Sequence, residues 1–167
     1  MAIIIGGKTE CGFCGAVIEG GQKAASFGSF VSNELDPLSL FNDGAFHMDC
    51  FRNHPLAEKA EERWEELQRR LGPGNRVCVV CDKQIEDPDE YFTLWHLIDD
   101  PAAPLYEYNY TQAHSSCLPH WSELRKVYKL LKDLQSSKSW RGKVLEKILP
   151  ELEGAMRNSG DDSNSAM

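Results

Sequence analysis

At 167 residues the chain has room for one ordinary domain or two small ones. Its formal net charge of −8 argues against indiscriminate binding of nucleic acid. No stretch approaches the roughly 20 apolar residues of a membrane span.

In chain order, residues 1–7 are apolar but too short for a signal peptide, and no basic region precedes them. They read as a short strand, and the expected compartment is the reducing cytoplasm, where paired cysteines point to metal. Cys11-x2-Cys14 follows in a tight turn helped by Gly12 and Gly15. A β-rich stretch covers 25–31, Asp36-Pro37 marks a loop, and a second strand runs into His47. His47-x2-Cys50 opens a helix, continued from Pro55 to Leu71 with Leu56, Ala60, Trp64, Leu67 and Leu71 as its apolar stripe. Its other face carries Glu58, Glu61, Glu62, Glu65 and Glu66. Gly72-Pro73-Gly74 ends the helix and forms a linker.

Cys78-x2-Cys81 then begins the pattern again. An acidic run follows (Asp82, Glu86, Asp87, Asp89, Glu90), then a strand over 91–98 and a loop over 101–104. Residues 105–110 alternate as a half-buried strand does. His114-x2-Cys117 leads to a helix over 119–134 with the stripe Leu124, Val127, Tyr128, Leu131 and Leu134. A last helix is expected over 140–149, limited by Pro150, and then a disordered tail. The expected organisation is a first module over 1–72, a second over 73–136, a C-terminal helix over 137–155 and the tail over 156–167.

Each ligand of the first set reappears 67 positions later. So do Ile18 (Ile85), Glu19 (Glu86), Pro37 (Pro104), Leu38 (Leu105), Phe41 (Tyr108) and Asn42 (Asn109). Tandem duplication explains this better than chance. A CxxC turn sets two sulfurs on one metal, and HxxC at a helix start does so from the other side, because positions i and i+3 share a face. Cys11, Cys14, His47 and Cys50 thus form one set, and Cys78, Cys81, His114 and Cys117 the other. Three thiolates and one imidazole suit a closed, tetrahedral, structural Zn2+, two per chain. Such a site is worth on the order of 10 kcal/mol in small peptides. Disulfides would leave the repeated histidines unexplained. A redox dithiol at Cys11–Cys14 would open a helix, where here a β-rich segment follows. His120 in place of His114 is a third arrangement. His54 reads as a surface or capping residue.

The two sets, with the order turn, hairpin, helix, resemble treble-clef zinc fingers, most closely the Cys-Cys-His-Cys half-site of LIM domains. The resemblance spans most of residues 8–135 and implies an α+β fold of two tandem treble-clef-like zinc modules plus an extra C-terminal helix. The 32 residues between CxxC and HxxC exceed the usual LIM interval, and a long helix and linker separate the two sites. LIM partners are therefore not carried over.

No catalytic constellation emerges, and a four-ligand zinc keeps no open position. The expected function is a non-enzymatic protein–protein interaction module. One form of it is an acidic inhibitor or immunity-type protein for a basic partner, with which opposite charge would steer association. The alternative is a regulatory nucleic-acid-binding zinc finger using the basic C-terminal helices, since 119–150 holds eight Lys or Arg and three acids. Candidate partner-binding residues are Arg125, Lys126, Lys129, Lys132, Trp140, Arg141 and Lys143. A third class is a closed-site enzyme or a switch in which thiolate oxidation releases metal.

Overall fold

In the computed structural model, which describes residues 3–159, the chain divides into two units, Met1–Gln68 and Arg69–Met167. Each is mixed α and β and is built round one short antiparallel hairpin. In unit 1, β1 (Ala24–Ser26) pairs with β2 (Ala45–His47), placing Ala24 opposite His47. In unit 2, β3 (Tyr91–Thr93) pairs with β4 (Gln112–His114), placing Tyr91 opposite His114. β2 runs into α1 (Met48–Arg52), followed by α2 (Ala57–Leu71). β4 runs into a 3-10 helix (Ser115–His120), then α3 (Leu124–Ser136) and α4 (Val144–Asn158).

The 67-residue offset holds bond by bond. Gly12 N–H donates to the Ala45 carbonyl, and Val79 N–H to that of Gln112. Phe27 N–H donates to Gly44, and Leu94 N–H to Thr111. Left-handed backbone recurs too, at Gly15 and Asp82 and again at Asp43 and Tyr110, with φ between 51° and 71°. Only glycine takes that conformation without steric cost, so the local geometry is over-determined by its surroundings.

The two interiors are filled differently. Unit 1 packs Phe27, Phe30, Phe41, Phe46 and Phe51 together, with the Trp64 ring set edge-on to Phe27 and Phe30. Such edge contacts suit the ring quadrupole. A buried Arg63 guanidinium lies 3.6 Å from the Asp36 carboxylate in the same unit. In unit 2, Phe92, Leu94, Leu118, Leu124, Val127 and Leu131 are joined by Leu145, Ile148, Leu149 and Leu152 of α4.

Several expectations need correction. Ile3–Ile5 forms no strand, since a turn closes from Ile5 to Thr9 and Ile3 is exposed. The strands expected over 25–31 and 91–98 end at Ser26 and Thr93. Beyond them Phe30, Val31, Leu97 and Ile98 bind the side chain of an asparagine instead of a second strand. The alternating 105–110 segment holds a 3-10 helix, Tyr106–Tyr108. Leu105, its N-cap, and Tyr108 are buried three apart, the period of that helix, and Tyr110 is buried beyond it. The helix placed at 119–134 begins at Leu124, because Pro119 lies in the preceding 3-10 helix. The last helix does not stop at Pro150. It runs through it to Asn158, with the proline exposed and Leu145, Ile148, Leu149, Leu152 and Ala155 buried. That helix belongs to the core of unit 2 rather than forming a separate segment. Of the tail expected over 156–167, residues 156–158 are helical and 160–167 lie outside the described residues.

Candidate metal centres

The turn after Cys11 is closed by bonds from Cys11 N–H to the Ala16 carbonyl and from Gly15 N–H to that of Cys11. Cys78, Lys83 and Asp82 repeat the arrangement. These turns set two sulfurs facing the end of β2 or β4, where the histidine stands, and the third cysteine follows one helical turn on. In each set the four donor atoms lie within 4.8 Å of one another. One set is Cys11, Cys14, His47 and Cys50, and the other is Cys78, Cys81, His114 and Cys117. Each can hold a metal ion. All six cysteines are free. His120 is exposed and belongs to neither set.

The imidazoles turn Nδ1 inward. His47 Nδ1 is 3.4 Å from Cys14 Sγ, and His114 Nδ1 is 3.5 Å from Cys81 Sγ. The other ring nitrogen of His47 sits 3.3 Å from the Val17 carbonyl. A proton held there leaves Nδ1 free as an electron-pair donor, which is how a metal-binding histidine is oriented. The histidine backbone contributes as well. His47 N–H points at Cys11 Sγ (3.4 Å), and His114 N–H at Cys78 Sγ (3.3 Å).

These amides tune the thiols. Burial opposes ionisation of Cys11, but N–H groups of Cys14, Phe13 and His47 outweigh it and bring the thiol from 9.0 to about 6. Cys78 is treated alike: burial opposes, the amides of His114, Cys81 and Val80 prevail, and it falls to about 6. Cys50 goes the other way. Burial, and then the sulfurs of Cys14 and Cys11, push it up to about 11. Cys117 is likewise raised to about 11 by burial and then by Cys81 and Cys78. Without a cation, one sulfur of each set is ready to carry charge, while another is kept from it first by burial and then by its neighbouring sulfurs. A divalent cation at the centre removes that conflict and takes all three as thiolates. The donor set therefore fits a metal on chemical grounds.

Three features around the sites have little or no sequence signal. Phe13 stacks between His54 (4.7 Å) and Phe46 (4.3 Å), while His54 Nδ1 accepts from Leu56 N–H. Glu90 accepts from Ser116 N–H at the start of the 3-10 helix that carries Cys117. The Val17 carbonyl beside His47 has no sequence signal, because a backbone group carries no residue signature.

The candidate partner-binding residues fare unequally. Arg125, Lys129, Lys132, Arg141 and Lys143 are exposed. Lys126 lies 3.2 Å from both Glu107 and Glu123 and 5.3 Å above the Tyr108 ring, so part of its charge is met locally. Trp140 is a correction: it is buried in the core of unit 2 and is not presented to a partner. Among the described residues no helix is long and apolar enough to cross a membrane. In comparisons with known proteins, no family model, no curated protein and no solved structure matches this chain.

Proposed function

We propose that this protein is a non-enzymatic interaction module held in shape by two structural Zn2+ ions, one in each Cys3His set. The observation that carries the reading is that each set is complete, with four protein donors round one point. Zinc is the ion that soft thiolates with one imidazole favour. A tetrahedral zinc so bound keeps no vacancy for water or substrate, so its work is to clamp a turn to a helix across a hairpin. That order supports a treble-clef-like description of both units.

A metal committed to architecture leaves function to the surface. The exposed acids Glu58, Glu61, Glu62 and Glu65 of α2 support a basic protein partner, as an inhibitor or immunity-type protein would have. Electrostatic steering favours such pairs. The exposed Arg125, Lys129 and Lys132 share one face of α3 at i, i+4 and i+7 and support the second reading, nucleic acid.

Native mass spectrometry of wild type, Cys14→Ser and Cys81→Ser tests the core of the proposal. Two zincs per chain, with one lost in each variant, are expected, and a metal-free wild type with intact thiols would refute it. Binding assays at rising salt then separate the partner classes. Loss of partner capture on reversing Glu61, Glu62 and Glu65 to Lys supports the protein reading. Salt-sensitive DNA or RNA binding lost on reversing Lys129 and Lys132 replaces it with the second.

A further inference from the structure

The two candidate metal centres differ in how far their cysteine residues are open to solvent. Cys14 is exposed, whereas its counterpart Cys81 is half-buried. The turn round Cys14 is Gly12-Phe13-Cys14-Gly15, with no side chain on either glycine and nothing within 4 Å of a Cβ placed on Gly15. The corresponding turn carries Val79 and Val80 before Cys81 and an exposed Asp82 after it. The second centre is also braced by α4, where Ser115 Oγ donates to Glu151 Oε1 at 2.9 Å, one residue beyond His114.

We infer that Cys14 is a modification site for peroxide-class oxidants, and that its oxidation releases the metal of the first centre while the second is retained. The inference rests on the zinc reading above. Oxidation of cysteine follows thiolate character and access, and access is what separates the two sites.

The chemistry balances within the set. The Cys14 thiolate attacks one oxygen of hydrogen peroxide, the O–O bond breaks, and hydroxide leaves, giving a sulfenic acid. A second thiolate of the set, from Cys11 or Cys50, attacks that sulfur. The S–O bond breaks, a second hydroxide leaves, and a disulfide forms. Two thiolates have lost two electrons, peroxide has gained them, and solvent protons convert both hydroxides to water. The donors already lie within 4.8 Å of one another, so the sulfurs need move only a short way to bond. The ion is left with one sulfur and one imidazole, too few to hold it. Release leaves unit 1 without its clamp and unit 2 with its own.

The test titrates the full-length two-zinc protein with hydrogen peroxide under a zinc-chelating dye, with native mass spectrometry and disulfide mapping of each species. The expected first product has one zinc, a disulfide that includes Cys14, and unmodified Cys78, Cys81 and Cys117. A first product that has lost the second zinc, or loss of both in one step, overturns the inference. Cys81→Ser and Cys14→Ser, each retaining a single centre, provide a second readout, with faster peroxide-driven release expected from Cys81→Ser. Equal rates would also overturn it. A protein with no zinc before peroxide is added is instead a failure of the zinc reading, and the starting mass distinguishes the two.

Discussion

Asn42 and Asn109, 67 positions apart, make the same three hydrogen bonds in their respective units. Asn42 Oδ1 accepts from the N–H groups of Phe30 and Val31, both at 3.0 Å, and its amide donates to the Val31 carbonyl at 2.7 Å. Asn109 does this for Leu97 and Ile98, at 2.7, 3.2 and 2.8 Å. One side chain thereby replaces the second strand that these backbone groups would otherwise need. Substitution by alanine leaves two donors and one acceptor unmet beside largely buried residues, at a cost of about 1–3 kcal/mol per group in the worst case. Asn42→Ala and Asn109→Ala are each expected to lose about 2–4 kcal/mol of stability. Urea melts of the metal-loaded proteins read this directly, and a loss under about 0.5 kcal/mol, the range of ordinary surface changes, would show that water takes over the bonds.

This clamp also explains what was legible in the sequence. The ligands could be read because metal geometry needs fixed residue types at fixed spacing. The identity of Asn42 and Asn109 was visible as an aligned pair, but its role was not, since its partners are backbone groups. The β-rich composition of 25–31 and 91–98 marks segments that pair in part through a side chain, so the strands are shorter than composition alone predicts. At 105–110 the alternation of residue types matched a strand, while Leu105 and Tyr108 were spaced for a 3-10 turn. In the sequence Pro150 reads as a stop. The apolar face on both sides of it holds the helix through one missing donor.

Phe46 fills in unit 1 the space that the repeat gives to Ala113 in unit 2, and two glycines make room for it. A Cβ on Gly44 would collide with Phe46 Cζ and lie 3.1 Å from the Phe41 carbonyl, and one on Gly12 would lie 2.8 Å from Phe46 Cε1. The second unit has Thr111 and Val79 at those positions, so large and small have exchanged places. Gly44→Ala is expected to destabilise unit 1 by about 1–3 kcal/mol through overpacking. Adding Phe46→Ala should relieve the clash, leaving the double variant better than the sum of the singles by about 0.5–3 kcal/mol. Additive losses in a double-mutant cycle would mean the ring is not what the glycine accommodates.

Glu123 titrates below an ordinary glutamate because Tyr108 O–H donates to it at 2.8 Å, and Lys126 adds a second bond and a positive charge. Its contribution to stability is therefore present above the ordinary value of 4.5 and fades as pH falls through the lowered one. Tyr108 is shifted upward, first by burial, and holds its contribution below pH 10, losing it as pH rises further. Following the Glu123 carboxyl carbon by NMR should give a midpoint below 4.5 that returns toward it in Tyr108→Phe. An unchanged midpoint in that variant would assign the shift to Lys126 alone.

Trp140 and Lys143 stand three residues apart, one buried and one exposed, and the difference separates structure from recognition. Trp140 lies in the core that α4 completes with Leu145 and Leu152, both fully buried. Truncating Trp140 to alanine removes a large ring from that core, at about 3–5 kcal/mol, and Leu152→Ala costs about 2–5 kcal/mol. Lys143→Glu changes an exposed residue and should stay within about 0.5 kcal/mol of wild type. Hydrogen exchange resolves where the losses fall. Amides of β3, β4 and α3 should exchange faster in Trp140→Ala, with those of β1 and β2 unchanged, because α4 packs within the second unit. If exchange in unit 2 were unaltered, α4 would be an appendage rather than part of the fold. If Lys143→Glu abolished partner binding at unchanged stability, the exposed start of α4 would be the surface that recognises it.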